Sequence, residues 1–234
     1  MLTTQNLSYR LRGKLLIDSL NMQFKAGLIY AILGPNGSGK TTFLKTLAGI
    51  WKATSGTVQW LQRDLLSQSR QEISRILTLV PQNPQVTFDF TVKEFVAMGR
   101  YIHGTSKSPT NCVEAVLQQV DAWQFRHRPI NQLSQGERQR VYIARSLATE
   151  APVLLFDEPV AHLDLRHQKD IWVLMKDLAR QGKTILVSNH DLIHTEKYCD
   201  HLYLLHKGQC IAEGSFKEVI VPTILEEVFG VGEE

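Results

Sequence analysis

Long apolar runs, a signal sequence and a strong excess of charge are all missing from this chain of 234 residues. No stretch approaches the roughly 18 consecutive apolar residues that a membrane-spanning helix needs. The N-terminal stretch MLTTQNLSYRLRGK lacks the continuous apolar core of a signal peptide. We therefore expect a soluble cytosolic chain that could still dock against another component.

Cysteine is also scarce, and its spacing does not indicate pairing. Cys112, Cys199 and Cys210 are odd in number and form no CxxC motif. Free thiols in a reducing compartment are therefore expected, rather than a disulfide or a metal site. The formal net charge of +3 is mild and evenly spread, so the sequence gives no indication of a nucleic-acid partner.

What the chain does contain is a series of short runs rich in isoleucine, valine and leucine, separated by helical patterns. Such runs are typical of parallel strands that are covered on both faces. The first 24 residues alternate more, which favours antiparallel strands. The sequence predicts an α/β fold, with strands at 27–33, 76–80, 152–156, 183–188 and 201–206 and helices at 41–50 and 165–182.

The middle of the chain has a different pattern. Strand signals fade after Pro81, and helical patterns follow at 91–102, 109–125 and 137–150. We interpret residues 83–150 as a helical subdomain inserted into an α/β core that is formed by residues 1–82 and 151–234.

The most specific motif follows the first predicted parallel strand. It matches GxxxxGK[ST] between a strand and a helix. Glycines allow the backbone N–H groups to wrap around a phosphate, and the following helix adds its positive end. The lysine would lie between the β- and γ-phosphates, and the threonine hydroxyl would hold Mg²⁺. The predicted nucleotide-binding residues are Gly34, Pro35, Asn36, Gly37, Ser38, Gly39, Lys40, Thr41 and Thr42.

A second motif is the apolar strand VLLF that ends in Asp157 and Glu158. Paired carboxylates at the end of a buried strand indicate contact with a cation or with a proton in transit. Asp157 suits a Mg²⁺ site, and Glu158 could polarise an attacking water. Taken alone, the pair could be part of a turn before Pro159; together with the loop at 34–41, it indicates phosphate chemistry.

The stretch LSQGERQR opens a strong helix at Ser134, Gln135, Gly136 and Glu137. Its serine and glycine leave backbone N–H groups available at a helix start, where an anion could bind. On the residues alone, a plain helix cap with a glycine is the simpler explanation.

GPNGSGKTT, LSQGERQR and LLFDEP, in this order, resemble the ATPase subunit of ATP-binding cassette (ABC) transporters over essentially the whole chain. The resemblance implies a P-loop NTPase core with a helical signature subdomain, ATP and Mg²⁺ as cofactors, and ATP hydrolysis. It also implies a head-to-tail dimer of two copies that sandwich ATP. Ser134 and Gly136 of one copy would then contact the γ-phosphate that the loop of the other copy holds.

Other site residues are implied by the same resemblance. Gln82 matches a glutamine that touches Mg²⁺ and the attacking water, and His190 matches a histidine that contacts the γ-phosphate. Asp164 matches an aspartate at the dimer interface. Tyr9 matches the aromatic residue that stacks on adenine, although its register relative to Gly34 is loose. Two small departures, Gln135 and Val160, fall on positions that are not expected to take part in the chemistry.

The resemblance further implies a position and partners. The chain would be peripheral on the cytoplasmic face of the plasma membrane, bound to a separate permease, with a periplasmic or extracellular substrate-binding protein in the full system. A groove formed by Gln82 and residues 83–101 would receive the permease, and we expect charge reversal at Glu94 and Arg100 to disturb it.

The cargo is less well defined. LVPQNPQVTFDFTVKEFVAMGR, AHLDLRHQ and ILEEVFGV resemble ATPases that serve importers of iron–siderophores, haem and vitamin B12. Zinc or manganese import stays open as an alternative, as does other transport. A family member that acts on ribosomes or DNA would usually carry two cassettes or a long coiled coil. A GTPase or kinase would lack LSQGERQR.

Overall fold

The computed structural model describes residues 1–82, 89–106, 109–161 and 163–230. Within these ranges, no helix is long and apolar enough to cross a membrane. The strands are β1 (Leu2–Leu11), β2 (Lys14–Phe24), β3 (Ile29–Leu33), β4 (Ser55–Trp60), β5 (Arg63–Asp64), β6 (Leu77–Val80), β7 (Val153–Asp157), β8 (Thr184–Asn189), β9 (His201–His206) and β10 (Gln209–Gly214).

The helices lie between these strands and in the middle of the chain. They are α1 (Lys40–Leu47), α2 (Arg70–Ile76), α3 (Val92–Ala97), α4 (Pro109–Gln119), α5 (Gln135–Ala148), α6 (Leu165–Arg180), α7 (Leu192–Tyr198), α8 (Phe216–Val219) and α9 (Pro222–Ile224). Short 3-10 segments occupy Met98–Ser106, Trp123–Phe125 and Ile130–Gln132, and a π-helical turn occupies Leu225–Phe229.

Two sheets form the core. An antiparallel sheet has the order β2-β1-β4-β5, and a second sheet has the order β10-β9-β3-β8-β7-β6. In the second sheet, β9, β3, β8, β7 and β6 are parallel, and β10 pairs with β9 in the antiparallel sense. The predicted α/β class, with antiparallel N-terminal strands and a mostly parallel sheet, is confirmed.

The apolar strands are buried because helices cover the parallel sheet on both faces. β3 and β7 are buried at every position. One cluster joins the sheet to α3, α4, α5 and α6, and includes the fully buried Trp172. Another packs α1 between the two sheets. A smaller cluster fixes the C-terminal segment, including Val219 and Val228, against β9.

The helical middle differs in detail from the sequence-based expectation. The helix predicted at 91–102 changes to a 3-10 segment after Ala97. There, Gly99 lies so close to α5 that a Cβ atom would meet the Arg145 carbonyl oxygen at 2.3 Å. The helix predicted at 109–125 ends at Gln119, just before Asp121 adopts a φ of 53°. The subdomain limits at 83 and 150 stay a prediction, and residues 83–88 lie outside the described ranges.

Arg100 does not face a groove, contrary to the expectation from the sequence. Its side chain is buried, and its Nη1 atom donates to the Ala148 carbonyl oxygen at 3.0 Å and lies 2.9 Å from Glu150 Oε1. Glu94 is also engaged, because its carboxylate accepts from the Thr91 backbone at the start of α3. Charge reversal at Arg100 would therefore disturb the end of α5 rather than a docking surface.

Arg100→Ala is expected to lower the free energy of unfolding by about 2 kcal/mol, because the end of α5 loses a buried charged donor. Urea denaturation of the purified chain measures the change. Arg180→Ala is the matched control, since Arg180 is exposed and pairs with Asp177 on its own helix; it should cost less than about 1 kcal/mol. Equal losses in the two variants would contradict the anchoring role of Arg100.

Candidate functional site

A cavity lies at the carboxyl ends of the parallel strands, where ligands bind in open α/β sheets. Its volume is about 820 Å³. The loops after β3, β7 and β8 all reach it, as does Gln82 beyond β6. The lining residues are Lys14, Leu16, Asn36, Gly37, Gly39, Lys40, Thr41, Thr42, Gln82, Glu158, Val160, Ala161, Gln168, Asn189, His190 and Asp191.

Lys40 is the first residue of α1, and its ammonium group is held at the mouth of the loop. Its Nζ atom donates to the carbonyl oxygens of Gly34 at 2.7 Å and Pro35 at 3.1 Å. Burial lowers the pKa of this ammonium, an effect that the nearby Glu158 and Asp157 oppose. A buried cation at the N-terminal end of a helix provides a strongly positive site for an anion.

Two glycines make the loop possible. Gly34 has a φ of 150°, and a Cβ atom there would lie 2.2 Å from the Leu205 carbonyl oxygen. Gly39 has a φ of 109°, and a Cβ atom would approach the Leu16 carbonyl oxygen at 2.9 Å. The loop is also tethered from behind, because the Gly208 N–H donates to the Ser38 carbonyl oxygen at 3.0 Å. Only glycine fits these two positions.

Asp157 joins three separate segments through one buried oxygen. Its Oδ1 atom accepts from the Thr41 hydroxyl at 2.9 Å and from the Ser188 hydroxyl at 2.7 Å. The Ser188 oxygen in turn accepts from the Glu158 backbone N–H at 2.9 Å. A carboxylate beside a threonine hydroxyl supplies the hard oxygen ligands that Mg²⁺ prefers, and the Gln82 side chain lines the same cavity as Thr41, so the residues present fit that ion.

Glu158 follows Asp157 with a left-handed backbone, at a φ of 46°. This conformation is strained for a residue other than glycine, and such strain is concentrated at functional sites. It turns the carboxylate into the cavity, where Oε2 accepts from Gln82 Nε2 at 2.7 Å. Glu158 Oε1 lies 3.9 Å from Lys40 Nζ and 3.9 Å from His190 Nδ1. The three residues predicted to be catalytic therefore meet at one point.

The signature turn lies elsewhere. Ser134 caps α5 in a capping box: its hydroxyl accepts from the Glu137 N–H, and the Glu137 carboxylate accepts from the Ser134 N–H at 2.8 Å. Burial opposes ionisation of Glu137, but the hydrogen bonds from Ser134 outweigh it and lower its pKa. None of Ser134, Gln135, Gly136 and Glu137 is among the described residues that line the cavity.

Asp164 also lies outside the cavity lining. It caps α6, accepts from the His167 N–H at 2.9 Å, and lies 2.8 Å from His167 Nδ1. These hydrogen bonds lower the pKa of the Asp164 carboxyl. The His167 ring packs on Gly136, where an added Cβ atom would meet Cδ2 at 2.6 Å. The predicted interface aspartate is thus next to the signature turn of its own chain.

Tyr9 does not reach the cavity. Its ring stacks on Trp51, with centroids 5.3 Å apart, and it packs against the core between the two sheets. The nearby residues that do line the cavity are Lys14 and Leu16 of β2. The role of Tyr9 in adenine stacking stays a prediction without support from this arrangement.

Sequence reasoning missed several residues of the site. Ser188 had a usable signal, because it lies on a buried strand two residues before His190. Asn189 and Gln168 also went unrecognised; the Asn189 side chain accepts from the backbone N–H groups of His190 and Asp191 and so shapes that turn. Lys14 and Leu16 reach the cavity because β2 passes next to the loop at Gly39, which no local pattern indicates.

Comparisons with known proteins agree with this geometry. A family model described as "ABC transporter" matches residues 17–161. The iron(3+)-hydroxamate import ATP-binding protein FhuC of Bacillus subtilis is 35% identical over 239 positions, covering 100% of this chain and 89% of the relative. The hemin import ATP-binding protein HmuV of Pseudomonas putida is 37% identical over 221 positions, covering 92% of this chain and 87% of the relative.

A solved structure shows the same fold. It is a dimeric, post-hydrolysis state of an ATP-binding cassette bound to ADP and phosphate, with a TM-score of 0.81 and 25% identity over 92% of this chain and 99% of that one. The family match covers more than half of the chain, and it includes both the phosphate loop and the strand that ends in Asp157. The chain therefore belongs to the ABC transporter family and is an ATP-binding ATPase subunit of it.

Proposed function

We propose that this chain hydrolyses ATP to energise a separate membrane permease that imports an iron–siderophore, haem or a related metal chelate. ATP hydrolysis is supported by the position of three side chains, because Lys40, Glu158 and Gln82 meet in one cavity at the carboxyl ends of the parallel strands. The similarity to import proteins for iron(3+)-hydroxamate and hemin supports the transport part.

Lys40 and the loop N–H groups bind the phosphates. Lys40 Nζ donates to two loop carbonyl oxygens, which keeps the ammonium in place for the β- and γ-phosphates. Burial lowers the pKa of Lys40, and the negative charge of a triphosphate would favour its protonated form. Binding of ATP therefore pairs the desolvated ammonium group of Lys40 with the negative charge of the phosphates.

Glu158 and His190 organise the attacking water. The strained backbone of Glu158 aims its carboxylate into the cavity, where it can accept a hydrogen bond from water and take its proton. His190, with its side chain about half exposed, lies at the edge of the same point and would contact the γ-phosphate. Gln82 holds the other carboxylate oxygen of Glu158 at 2.7 Å.

Thr41, Asp157 and Gln82 would hold Mg²⁺, which neutralises phosphate charge when it is bound. Asp157 is buried but its carboxylate already accepts two hydroxyl hydrogen bonds, so the position of its oxygens is set in advance.

A second copy of the chain completes the site. The signature turn Ser134–Glu137 and Asp164 are outside the cavity of their own chain, so their predicted contact with ATP requires another molecule. The similar dimeric cassette bound to ADP and phosphate supports this arrangement. ATP would then favour the closed dimer, and hydrolysis would remove that preference.

The permease would dock near Gln82 and the segment after α3. Tyr101 is the most exposed large apolar residue there, at 85% exposure, whereas Arg100 points inward. Residues 83–88 of this groove lie outside the described ranges. A full system would add an extracytoplasmic substrate-binding protein, with this chain peripheral on the cytoplasmic side.

Zinc or manganese is the second candidate for the imported cargo. This subunit is not expected to contact the cargo, so its residues do not distinguish these ions from a metal chelate. A role on nucleic acid or ribosomes is not favoured, because the relatives compared above are import proteins.

Lys40→Ala should lower ATP turnover by a factor of about 100 or more, because the phosphates lose their buried cation. Steady-state ATPase activity is measured with the purified chain, alone and with vesicles that contain the cognate permease. Lys45→Ala on the same helix is the control, since Lys45 lies over Trp51; it should keep near-normal activity. Stimulation of the unsubstituted chain by RNA or DNA rather than by the permease vesicles would contradict the transport function.

Glu158→Gln should bind ATP normally and lose turnover by a factor of about 100 to 10,000, because an amide cannot accept the proton of the attacking water. Light scattering after gel filtration should show a dimer with ATP and a monomer with ADP. Asp177→Asn removes an exposed carboxylate elsewhere and should turn over ATP as before. Full turnover by Glu158→Gln would show that another group activates the water.

Ser134→Arg should block ATP-driven dimer formation when it is added to Glu158→Gln, because a long cationic side chain would fill the space of the second ATP. ATP binding to the monomer should stay near normal. Ser134→Gly is the matched control: it also loses the side-chain cap, at a cost of roughly a few tenths of a kcal/mol, but adds no bulk. If the arginine variant dimerises as well as its Glu158→Gln parent, the signature turn is not at the interface.

A further inference from the structure

The signature helix α5 is tied to the core through helix α6 by an ion pair. Arg140 Nη2 donates to Asp170 Oδ2 at 2.7 Å, and the Arg140 side chain is largely buried. Two further contacts hold the other end of the guanidinium within the helical subdomain: Nη1 lies 3.2 Å from the Val120 carbonyl oxygen and 3.4 Å from Asp121 Oδ2. Arg140 therefore bridges the two parts of the molecule.

A second contact lies one turn away on both helices. The His167 ring packs on Gly136 so closely that an added Cβ atom would meet it at 2.6 Å. The ring is held in place by Asp164, 2.8 Å from Nδ1. Gly136 and Arg140 are four residues apart on α5, and His167 and Asp170 are three apart on α6, so each pair shares one face of its helix.

Two contacts in adjacent turns fix the orientation of α5 relative to α6 as well as the distance between the two helices. A single ion pair would allow α5 to rotate or slide against α6, but a second contact one turn away opposes both motions. A hydrogen bond from Gln119 Nε2 to Gln181 Oε1 at 3.2 Å is a third contact, and it joins the end of α4 to the residue after α6. The first turn of α5 is the signature turn, so its position is set by these contacts.

We propose that Arg140, Asp170 and His167 are positioning residues that clamp α5 to α6 and so set where the signature turn meets the ATP of a second copy. This inference rests on the proposed function of the signature turn across a dimer. The clamp also joins the signature turn to Asp164 through His167, so both predicted interface elements are carried on one rigid unit.

Asp121 and Asp170 allow a charge-matched test. Both carboxylates contact Arg140, and Asp→Asn removes one negative charge in either case. Asp121 lies in the helical subdomain with its side chain 80% exposed, whereas Asp170 lies on α6 of the core and is 39% exposed. Of the two substitutions, Asp170→Asn therefore removes the ion pair between α5 and α6, and Asp121→Asn leaves it in place.

The experiment compares Asp170→Asn, Asp121→Asn, Arg140→Gln and the double variant Arg140→Gln/Asp170→Asn, each added to Glu158→Gln. Gel filtration with light scattering gives the protein concentration of half-maximal ATP-driven dimerisation. We expect Asp170→Asn to raise it by roughly 3- to 100-fold, the range of couplings between residues in contact. Asp121→Asn should change it by less than about twofold, and the double variant should be no worse than Arg140→Gln alone.

Hydrogen exchange supplies a readout that does not depend on dimer formation. In the monomer without nucleotide, the backbone amides of the first two turns of α5 should exchange faster in Asp170→Asn than in Asp121→Asn, while ADP affinity stays the same in both. Equal exchange in these two variants, or effects of Arg140→Gln and Asp170→Asn that multiply in the double variant, would overturn the clamp. Faster exchange with unchanged dimerisation would overturn its positioning role.

The two proposals can fail separately. If the Glu158→Gln parent does not dimerise with ATP, the proposed function of the signature turn is contradicted, and the exchange rates alone then decide whether the clamp exists.

Discussion

One buried carboxylate holds the site together. Asp157 accepts hydrogen bonds from Thr41 at the start of α1 and from Ser188 on β8, so three segments that are far apart in the chain converge on a single oxygen. A buried carboxylate is costly unless it is paired, and this one is paired in a way that sets the spacing between the phosphate loop and the catalytic strand end. The strained backbone of Glu158 is held by the same serine, because the Glu158 N–H donates to the Ser188 hydroxyl oxygen. Loss of the contact between Ser188 and Asp157 would therefore also weaken the support for the Glu158 conformation.

The phosphate site positions its cation without pairing it closely with a carboxylate. Lys40 faces two carboxylates, yet its ammonium donates to backbone oxygens rather than forming a close ion pair with Glu158, 3.9 Å away. The cation is therefore positioned but not neutralised, which suits a group that must receive phosphate oxygens. Electrostatic groups that are already oriented do not have to reorganise when charge develops during phosphoryl transfer.

The sequence predicted much of this arrangement because the relevant signals are local. The phosphate loop, Asp157 and Glu158 each follow an apolar run, and the carboxyl ends of parallel strands meet at one edge of a sheet. The 3-10 segment after α3 was not predictable, since it results from Gly99 packing against α5. Arg100 was misjudged for the same reason: its burial against Ala148 depends on where α5 ends. The place of Lys14 and Leu16 in the cavity wall depends on the pairing of β1 with β2, which the local sequence does not indicate.

The tether behind the phosphate loop has a wider effect. Gly208, in the turn between β9 and β10, donates to Ser38 and accepts from the backbone of Asp18 on β2. The C-terminal segment packs against the same hairpin, because Val219 and Val228 belong to one apolar cluster with residues of β9. The loop that receives the nucleotide is thus braced by a hairpin that is synthesised long after the loop itself, so a nascent chain gains this brace only once the hairpin has left the ribosome and folded.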